Sequence, residues 1–531
     1  MPIAIPSALA PLRYPVYRAL WTGAFAGYLA IWMQSVGAAW LMTTMTSSTL
    51  VVALVQTATS LPAFLFGLPG GVLADLVDRR RYLLIVQLTM LAAAITLALL
   101  TLSGLIAPWS LLALTAVFGV CFALQSPAWH TTQAEAVPLA SLPAALALGA
   151  VSYNAARAIG PALAGGIATT AGPAAMFGAT AVCFAVGIVV LLRWTYVRKA
   201  ADFPPERLLS GLSSALRYTR HSNVMRMQML RTVVFVSGAG ALWALLPVLA
   251  RDQLQLGAGG YGVLFGMLGG GAVLGAFLQP ALQKRFELNV IVTAAVIVYG
   301  AAMTIAAYVG HVVLICLALV PAGAAWMMVG NTNLAAMQTA IPSWVRARAM
   351  AMYMLVFQGA MALGAVVWGG VAEQIGVPHS LAAAAVTMLA GLAIIRRNPV
   401  RFGSEAETTP SSNDFAPWDF LEPRDEKGPI AVEIEYRIDP PAKEAFLRAI
   451  HEVGRARRRD GSRFWRLYRD LSDPRKYVER FIVESWTDYL RQRSRATVAD
   501  RMAEERARAF HVGDGAPVMS HYIAESFPGA G

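Results

Sequence analysis

The chain has 531 residues, of which 57% are hydrophobic and only 14% are charged, with a net charge of +12. A water-soluble protein of this length would carry far more charge on its surface, so the composition excludes an ordinary soluble enzyme. About 20 apolar residues suffice to cross a bilayer, and uncharged stretches of that length recur along the chain. The composition therefore predicts a polytopic membrane protein.

Apolar runs follow one another through the first three quarters of the chain and predict twelve transmembrane helices. The runs lie at about 19–43, 50–74, 82–104, 108–130, 144–168, 174–194, 229–250, 259–282, 289–309, 312–336, 349–372 and 379–395. The first 20 residues lack the basic start and the cleavage pattern of a signal peptide, so we expect them to remain in the mature chain.

The basic residues are distributed very unevenly between the predicted loops. If the N-terminus is cytoplasmic and the runs alternate, 19 of the 21 Lys and Arg residues up to position 397 fall on the cytoplasmic side, and the exceptions are Arg157 and Arg251. This asymmetry follows the positive-inside rule and predicts that both termini are cytoplasmic. The charge thus orients helices in the lipid bilayer, and no nucleic-acid partner is needed to explain it.

The three cysteines, Cys121, Cys183 and Cys316, lie in separate apolar runs. No CxxC motif and no Cys/His cluster occurs in the sequence, so it predicts neither a metal site nor a disulfide framework, and no cofactor.

One sequence offset, 204 residues, relates three separated segments of the chain. It aligns 71–81 with 275–285, 135–138 with 339–342, and 160–172 with 364–376, where four glycines meet four glycines. Transporters are often built from such repeats. The offset predicts two parallel six-helix halves, 1–194 and 229–397, joined by a basic cytoplasmic loop at 195–228.

The loop GGVLADLVDRRR, residues 70–81, connects the second and third predicted helices. It resembles the Gly-x-Leu-Ala-Asp-x-x-Gly-Arg-Lys signature of the major facilitator superfamily, although Asp78 replaces the usual glycine and Leu76 the usual basic residue. The residues that match are Gly71, Leu73, Ala74, Asp75, Arg79 and Arg80. The resemblance extends over residues 10–397 and implies a transporter that works by alternating access.

A carboxylate beside arginines at a helix end can form charge-assisted bonds that hold one conformation and break in the other. We therefore predict a conformational switch formed by Gly71, Asp75, Asp78, Arg79 and Arg80. The alternative is a charge cluster that only orients the helices. In the second half Gln279 replaces Asp75, so that copy is expected to be structural.

The stretch SYNAARAIGPALAGG, residues 152–166, contains helix-packing candidates in Gly160, Pro161, Gly165 and Gly166. It resembles the fifth-helix signature of drug/proton antiporters, with three residues instead of two between Pro161 and Gly165. The resemblance favours export.

Arg157 is the one basic residue deep in an apolar run, where a buried charge is costly and usually faces a cavity or a partner. Packing, or extension of its side chain to the interface, is the alternative. The residues predicted to line a substrate path are Arg157, Asn154, Gln34, Trp32, Asn333 and Gln358. His130 is a candidate for carrying a coupling proton, and a structural role is the alternative.

After a proline- and serine-rich linker, 398–429, the composition becomes that of a soluble domain. Residues 430–531 predict the order βαββαβ of a ferredoxin-like domain, with one helix over 486–510. The domain resembles the antibiotic-biosynthesis-monooxygenase type, and the whole layout resembles the transmembrane secretion effector branch related to the enterobactin exporter. Trp465, Trp486, His451 and His511 form no nucleophile–base pattern, so we expect a regulatory or dimerising module.

The sequence thus predicts a secondary transporter, and not an enzyme, that exports a small amphipathic molecule such as a siderophore, a drug or a metabolite. A membrane-anchored enzyme with a catalytic tail is the alternative from another class, and an importer is a weaker one.

Overall fold

The protein is represented by a computed structural model that describes residues 7–194, 216–393, 402–411, 428–513 and 515–524. Most of the predicted central loop and of the predicted linker therefore lies outside the described residues.

Eleven labelled helices make up the apolar part of the described chain. They are α1 Pro15–Met45, α2 Thr49–Leu76, α3 Arg79–Leu102, α4 Pro108–Glu135, α5 Leu142–Arg193, α6 Asn223–Val248, α7 Ala258–Gln283, α8 Leu288–Tyr308, α9 Val312–Ala340, α10 Ser343–Ile375 and α11 Val377–Ala390. Short 3-10 helices precede α1 (Ser7–Arg13) and α5 (Leu139–Ser141), and a π-helical turn, Leu249–Gln253, extends α6. Of these helices, α1 to α10 are long and apolar enough to cross a membrane, whereas α11 is shorter. Within the described residues the protein is thus a multi-pass membrane protein.

Helix α5 has 52 residues, enough for two crossings, and Gly172 divides it. Gly172 has a φ of 85°, and Gly376, between α10 and α11, has a φ of 84°. Only glycine adopts such angles without strain. The two glycines are 204 residues apart, and prolines follow both, at Pro173 and Pro378. The structure thus reproduces the sequence offset as the same backbone break in both halves.

Close glycine contacts join the two halves. A Cβ on Gly165 of α5 would lie 2.7 Å from the carbonyl oxygen of Ala258 in α7. A Cβ on Gly369 of α10 would lie 2.5 Å from the Cβ of Ala53 in α2. Small residues allow such close packing of membrane helices. The halves are therefore held together by α5 against α7 and by α10 against α2.

The C-terminal part folds around a small four-stranded antiparallel sheet. Its elements are β1 Ile430–Arg437, α12 Lys443–Asp460, β2 Phe464–Arg469, β3 Lys476–Val483, α13 Trp486–Arg495, α14 Val498–Arg508 and β4 Val518–Ile523, with short helices at Glu405–Thr408 and Pro440–Ala442. The strand order is β2-β3-β1-β4, and Val432 of β1 lies opposite Phe481 of β3. Alternate residues of β1 are buried, as expected for a strand with one face on a core.

The single helix predicted over 486–510 is wrong, because the chain forms two helices there. Ala496 has an extended backbone, and Thr497 begins α14 with a capping box. The Thr497 hydroxyl accepts from the amide of Asp500, whose carboxylate accepts from the Thr497 amide at 2.9 Å. This local cap competes with a continuous helix and stops α13 at Arg495.

The contacts divide the chain into two compact units. One contains Met1–Phe203, Met229–Asn333 and Tyr353–Val400, and the other contains Pro204–Gln228, Leu334–Met352 and Arg401–Gly531. The second unit thus combines the C-terminal sheet with two segments that adjoin membrane helices in the chain.

Candidate functional site

A cavity of about 180 Å³ lies between the two halves of the membrane unit. The first half contributes residues of α1, α2, α4 and α5, and the second half contributes residues of α6, α9 and α10. The lining residues are Ile31, Trp32, Gln34, Ser35, Gln56, Thr59, Ser60, Phe118, Gly119, Phe122, Tyr153, Arg157, Trp243, Trp326, Phe357, Gln358 and Met361. Four of the six predicted substrate-path residues, Trp32, Gln34, Arg157 and Gln358, are therefore brought together.

Arg157 is only 7% exposed, although its side chain reaches this cavity. One guanidinium nitrogen donates to the thioether sulfur of Met327 at 3.8 Å, and Nε has no hydrogen-bond partner. A thioether is a weak acceptor. Neither aspartate nor glutamate occurs among the residues described as lining the cavity. The cavity therefore holds a buried cation without a compensating carboxylate in its wall.

Aromatic rings from both halves form a continuous wall beside Arg157. The ring centroids of Trp32 and Trp243 are 6.2 Å apart, those of Trp243 and Trp326 are 5.2 Å apart, and those of Trp326 and Phe357 are 6.1 Å apart. Tyr153 packs edge-on against Trp32 at 6.0 Å. The indole N–H of Trp32 is buried without an acceptor. The wall thus offers large apolar faces together with a hydrogen-bond donor.

Two side-chain amides of the cavity wall, those of Gln34 and Gln56, donate hydrogen bonds to neighbouring hydroxyl groups. Gln34 is 1% exposed and donates to Thr115 Oγ1 at 3.2 Å. Gln56 donates to Ser60 Oγ at 2.9 Å. These bonds fix the orientation of two polar groups in an otherwise apolar wall.

Three predicted site residues lie elsewhere. The Asn154 amide donates to the Ala150 carbonyl at 2.9 Å, within its own helix, and Asn154 does not line the cavity. Asn333 is buried, at 3% exposure, but it also lies outside the cavity lining. His130 is exposed near the end of α4 and is not among the lining residues. The sequence analysis therefore grouped with the cavity residues two asparagines, Asn154 and Asn333, that lie outside the cavity lining.

The predicted packing residues contact neighbouring helices with one exception. A Cβ on Gly160 would lie 2.8 Å from the Cβ of Trp32, and the Pro161 carbonyl lies against Gly262 of α7. Gly165 contacts α7 as described above. Around Gly166 nothing lies within 4 Å of a Cβ position. Gly160 also fixes α5 against the helix that carries Trp32.

Three residues of the predicted switch loop make contacts within the first half. Asp78 caps α3 by accepting from the Arg81 amide at 2.9 Å. Arg79 pairs with Glu135 of α4 at 2.7 Å, and Arg80 donates to the Leu191 and Leu192 carbonyls near the end of α5. A rigid-body movement of one half against the other would leave these bonds intact.

The surroundings of Gly71 and of the Asp75 side chain lie outside what the structure describes. At the position matching Asp75, Gln279 is 6% exposed, donates to Thr332 at 3.1 Å and accepts from Asn331 at 3.1 Å. It joins α7 to α9 inside the second half. Gln279 stands where the first half has Asp75, and these neutral hydrogen bonds agree with the structural role that we expect for it.

A residue that the sequence did not single out joins the halves at one end of the bundle. One carboxylate oxygen of Glu373, near the end of α10, accepts from Ser48 Oγ at 2.9 Å, Thr49 Oγ1 at 3.1 Å and the Leu50 amide at 3.1 Å. These groups form the N-terminus of α2, where backbone N–H groups and the helix dipole favour an anion. The bond from the Leu50 amide spans 323 residues, so no local sequence pattern could have shown it.

In the tail, the aromatic and histidine candidates serve separate structural contacts. Trp465 donates to Glu479 at 2.9 Å, and the His451 ring packs on Trp465. His511 accepts from the Arg437 amide at 2.8 Å, whereas Trp486 packs on Tyr489. No cluster of potential metal ligands occurs among the described residues.

Glu479 is fully buried beneath the sheet and is satisfied there. Besides the Trp465 N–H it accepts from the Tyr436 hydroxyl at 3.2 Å, and Arg457 lies at 3.6 Å. Because Arg457 also pairs with Glu504 at 2.8 Å, these side chains form a connected buried network. Burial and the nearby Glu479 raise the pKa of the Tyr436 hydroxyl, which keeps it a donor to this carboxylate. The network has the character of a structural core.

The repeated halves and the cavity between them agree with the match of the chain to a known protein family. This match covers almost the whole chain. The transmembrane secretion effector family, which is of major facilitator type, matches residues 6–528. The chain belongs to this family. The family is one of transporters, which favours a transporter over a membrane-anchored enzyme.

A curated relative is the Staphyloferrin A transporter of Staphylococcus aureus (strain NCTC 8325 / PS 47), 21% identical over 359 residues, covering 67% of this chain and 89% of the relative. The fold resembles the nucleoside transporter NupG, with a TM-score of 0.58, 12% identity and coverage of 72% of this chain and 99% of that chain. It also resembles a D-xylose-proton symporter, with a TM-score of 0.57, 12% identity and coverage of 73% and 98%. A bacterial homologue of the human lysosomal transporter Spinster, in an inward-facing conformation, gives a TM-score of 0.55 with 13% identity and coverage of 74% and 96%. The predicted secondary transport of small molecules is confirmed.

Proposed function

We propose that this protein exports a small amphipathic molecule across the bacterial inner membrane by alternating access, through the cavity that contains Arg157. The observation that carries the proposal is that both repeated halves line this one cavity. A site shared by two halves becomes accessible from either side when one half rocks against the other.

The proposed topology has twelve crossings, with both termini in the cytoplasm. The ten long helices supply eleven crossings when α5 is counted twice because of Gly172, and α11 supplies the twelfth. The proposed domains are the halves 1–194 and 229–397, the loop 195–228, the linker 398–429 and the tail 430–531. The basic loops support the orientation.

Export is supported by the fifth-helix motif around Gly160 and Pro161 and by the family, whose description names secretion. The curated relative carries a siderophore, which supports cargo of the siderophore, drug or metabolite class. Uptake by inside-out membrane vesicles would support export, whereas uptake by intact cells alone would indicate import.

We propose that outward opening breaks the contacts of Glu373 with the start of α2, since these bonds join the two halves. On this proposal the end of the bundle that contains Glu373 is periplasmic. Changes at Asp75 would act on the opposite end, where the switch loop lies.

The proposed energy source is a coupling proton, with His130 as its candidate carrier. His130→Gln should then abolish transport driven by a pH gradient in proteoliposomes but leave substrate exchange without a gradient intact. Unchanged gradient-driven transport would remove His130 from the proposal.

The tail is proposed to be a ferredoxin-like, monooxygenase-type module that dimerises. The strand order β2-β3-β1-β4 supports the ferredoxin-like assignment. The residues of β1 that alternate with the buried ones are partly exposed, which supports pairing of this sheet face with a second copy. A soluble dimer of the isolated fragment 430–531 is the expected result, and a strict monomer at high concentration would contradict the pairing role. Turnover of a metabolite by this fragment would instead favour the enzyme hypothesis, whereas efflux by a chain truncated near residue 400 would favour transport.

Transport by Arg157 variants at equal protein level tests the site itself. The expected order is Arg, then Lys, then Gln, because lysine keeps the charge but loses the planar fork. Wild-type transport by Arg157→Leu would contradict a role of Arg157 in the substrate path.

A further inference from the structure

We propose that the cavity selects an organic anion with an aromatic or planar apolar body. This inference rests on the proposed function and names the class of substrate for the same site. The first observation that supports it is a pair of unsatisfied hydrogen-bond donors. Arg157 Nε and the Trp32 indole N–H are both buried and have no acceptor.

Charge complementarity identifies the ligand group. A buried guanidinium is costly unless an anion or strong acceptors face it. Among the described residues Arg157 donates only to the sulfur of Met327, which lies outside the cavity lining, and the described lining contains no acid. A carboxylate or a similar planar oxyanion matches the guanidinium fork in two parallel hydrogen bonds.

The aromatic wall identifies the rest of the ligand. Trp32, Trp243, Trp326 and Phe357 form successive ring contacts next to the charge. Aromatic faces favour stacked or edge-on rings and large apolar contact. A substrate with its oxyanion at Arg157 and a flat apolar body along these rings would satisfy both features.

Equilibrium binding to the purified full-length protein tests this inference without requiring transport. Three probes share one ring system and differ in charge: 2-naphthoate, neutral 2-naphthamide and cationic 2-naphthylmethylammonium. The naphthoate should bind most tightly and the cation most weakly, as measured by calorimetry. Arg157→Gln should weaken naphthoate binding by about tenfold or more and leave naphthamide binding unchanged. Arg18→Gln, which alters an exposed arginine of α1, is the matched control.

Equal binding of the anionic and cationic probes, or an unchanged naphthoate affinity in Arg157→Gln, would overturn the inference. Cyclohexanecarboxylate should bind more weakly than naphthoate, and equal binding would overturn the aromatic part. Anion-selective binding without transport of any anion in proteoliposomes would sustain the inference and count against the proposed function.

A second observation, in the other unit, concerns the tail. The Arg495 guanidinium lies 4.3 Å from the ring centroid of Trp344, and the Arg459 guanidinium lies 5.7 Å from that of Tyr218. Tyr218 and Trp344 pack edge-on at 5.9 Å. Tyr218 belongs to the segment before α6, and Trp344 lies at the start of α10. The four side chains form a ladder in the order Arg495, Trp344, Tyr218 and Arg459, with the two aromatic rings between the two arginines.

Ion pairs within the tail hold Arg459 of the ladder in place, and the described part of the linker adds hydrogen bonds nearby. Arg459 is held by Asp460 through two bonds of 2.8 Å and by Asp500. The Gly403 amide donates to Thr339 Oγ1 at 3.1 Å, and the Ser411 amide donates to the Ala496 carbonyl at 2.9 Å. Residues 402–411 therefore bridge the end of α9 and the tail.

We infer that the tail regulates transport by docking on these helix-adjoining segments and restraining them. Because α9 and α10 carry cavity residues further along, a restraint at their ends affects their movement. In the full-length protein, Arg459→Gln with Arg495→Gln should speed amide exchange in 216–222 and 339–346 by about tenfold. The variant should change the maximal transport rate at unchanged KM, since none of the ladder residues lines the cavity.

The matched control is Arg455→Gln with Arg491→Gln, which alters exposed arginines of the same two helices. Unchanged amide exchange in both segments would overturn the docking contact. Faster exchange at an unchanged transport rate would overturn the regulatory role.

Discussion

The two membrane halves have the same backbone geometry but different chemistry. At the offset of 204 residues, Gly172 and Gly376 have φ angles of 85° and 84°. Tyr153 and Phe357 occupy matching positions, and both line the cavity. The repeat therefore reproduces helix breaks, helix contacts and wall positions, which depend on shape.

Some charged groups do not repeat, although the basic residues Arg80 and Arg81 match Lys284 and Arg285. Arg157 of the first half corresponds to Met361 of the second, and both line the cavity. The ion pair of Arg79 and Glu135 corresponds to Gln283 and Thr339. The two halves thus share helix breaks and wall positions, whereas the cavity arginine and the Arg79–Glu135 ion pair occur only in the first half of the described residues. The predictions below test this division of roles.

The largest effect is expected where the repeated glycines join the halves. Gly165→Ala and Gly369→Ala each place a Cβ within 2.7 Å or 2.5 Å of the facing helix. Overpacking of this kind costs about 1–3 kcal/mol and would separate the halves. Both variants should lose transport and thermal stability, as measured by efflux and by a melting assay in detergent.

Gly166→Ala and Gly370→Ala are the controls, since nothing lies within 4 Å of either Cβ position. They should behave like the unaltered protein. Equal losses in all four variants would show that helix propensity or insertion, and not the contact between halves, governs these positions.

The second prediction moves the charge across the cavity. Arg157→Met makes the halves alike at this position and should abolish transport of an anionic substrate. Adding Met361→Arg restores one cation on the opposite wall, so part of the transport should return, because the cavity again contains a donor fork. Efflux at equal protein level measures both changes. Full activity of Arg157→Met alone would show that the asymmetry has no role in recognition.

The sequence correctly predicted a multi-pass helical membrane protein, because apolar runs of sufficient length are local features. It also singled out Arg157 and Trp32, which line the cavity in the structure, since polar and aromatic residues in apolar runs are uncommon. Asn154 was grouped with Arg157 because residues three apart are neighbours on a helix, but its amide donates to the Ala150 carbonyl and it does not line the cavity. Residue type and spacing alone could not show this local hydrogen bond.

Other features depend on partners that are distant in the chain. Glu373 had the appearance of an ordinary helix-end acid, and its position between the halves follows only from its contacts with Ser48, Thr49 and Leu50. The break between α13 and α14 had a local signal in the Thr497–Asp500 capping box, but the amphipathic pattern on both sides concealed it. Long-range contacts and competing local caps thus account for what the sequence left out.

The third prediction gives the first half the residue of the second. Asp75→Gln copies Gln279, whose amide makes two neutral hydrogen bonds within the second half. If the Asp75 carboxylate supplies a contact that breaks in each cycle, the variant should insert normally but turn over several times more slowly. Stopped-flow efflux at matched expression measures the rate. Normal transport would reduce the loop to a determinant of topology.

The smallest effect is expected for Arg80→Lys, which copies Lys284 of the second half. Arg80 donates through two different nitrogens to the Leu191 and Leu192 carbonyls, the first at 2.9 Å from Nε. A lysine keeps the charge near the end of α5 but cannot present the same fork, so about 1 kcal/mol of stability should be lost. Because both partners belong to the first half, the loss should lower the melting temperature while KM and the transport rate stay unchanged. Arg81→Lys, at an exposed neighbouring position, should alter neither quantity. A slower transport rate in Arg80→Lys at unchanged stability would instead indicate that this bond breaks during the cycle, and the fixed part of the loop would then be smaller than the structure implies.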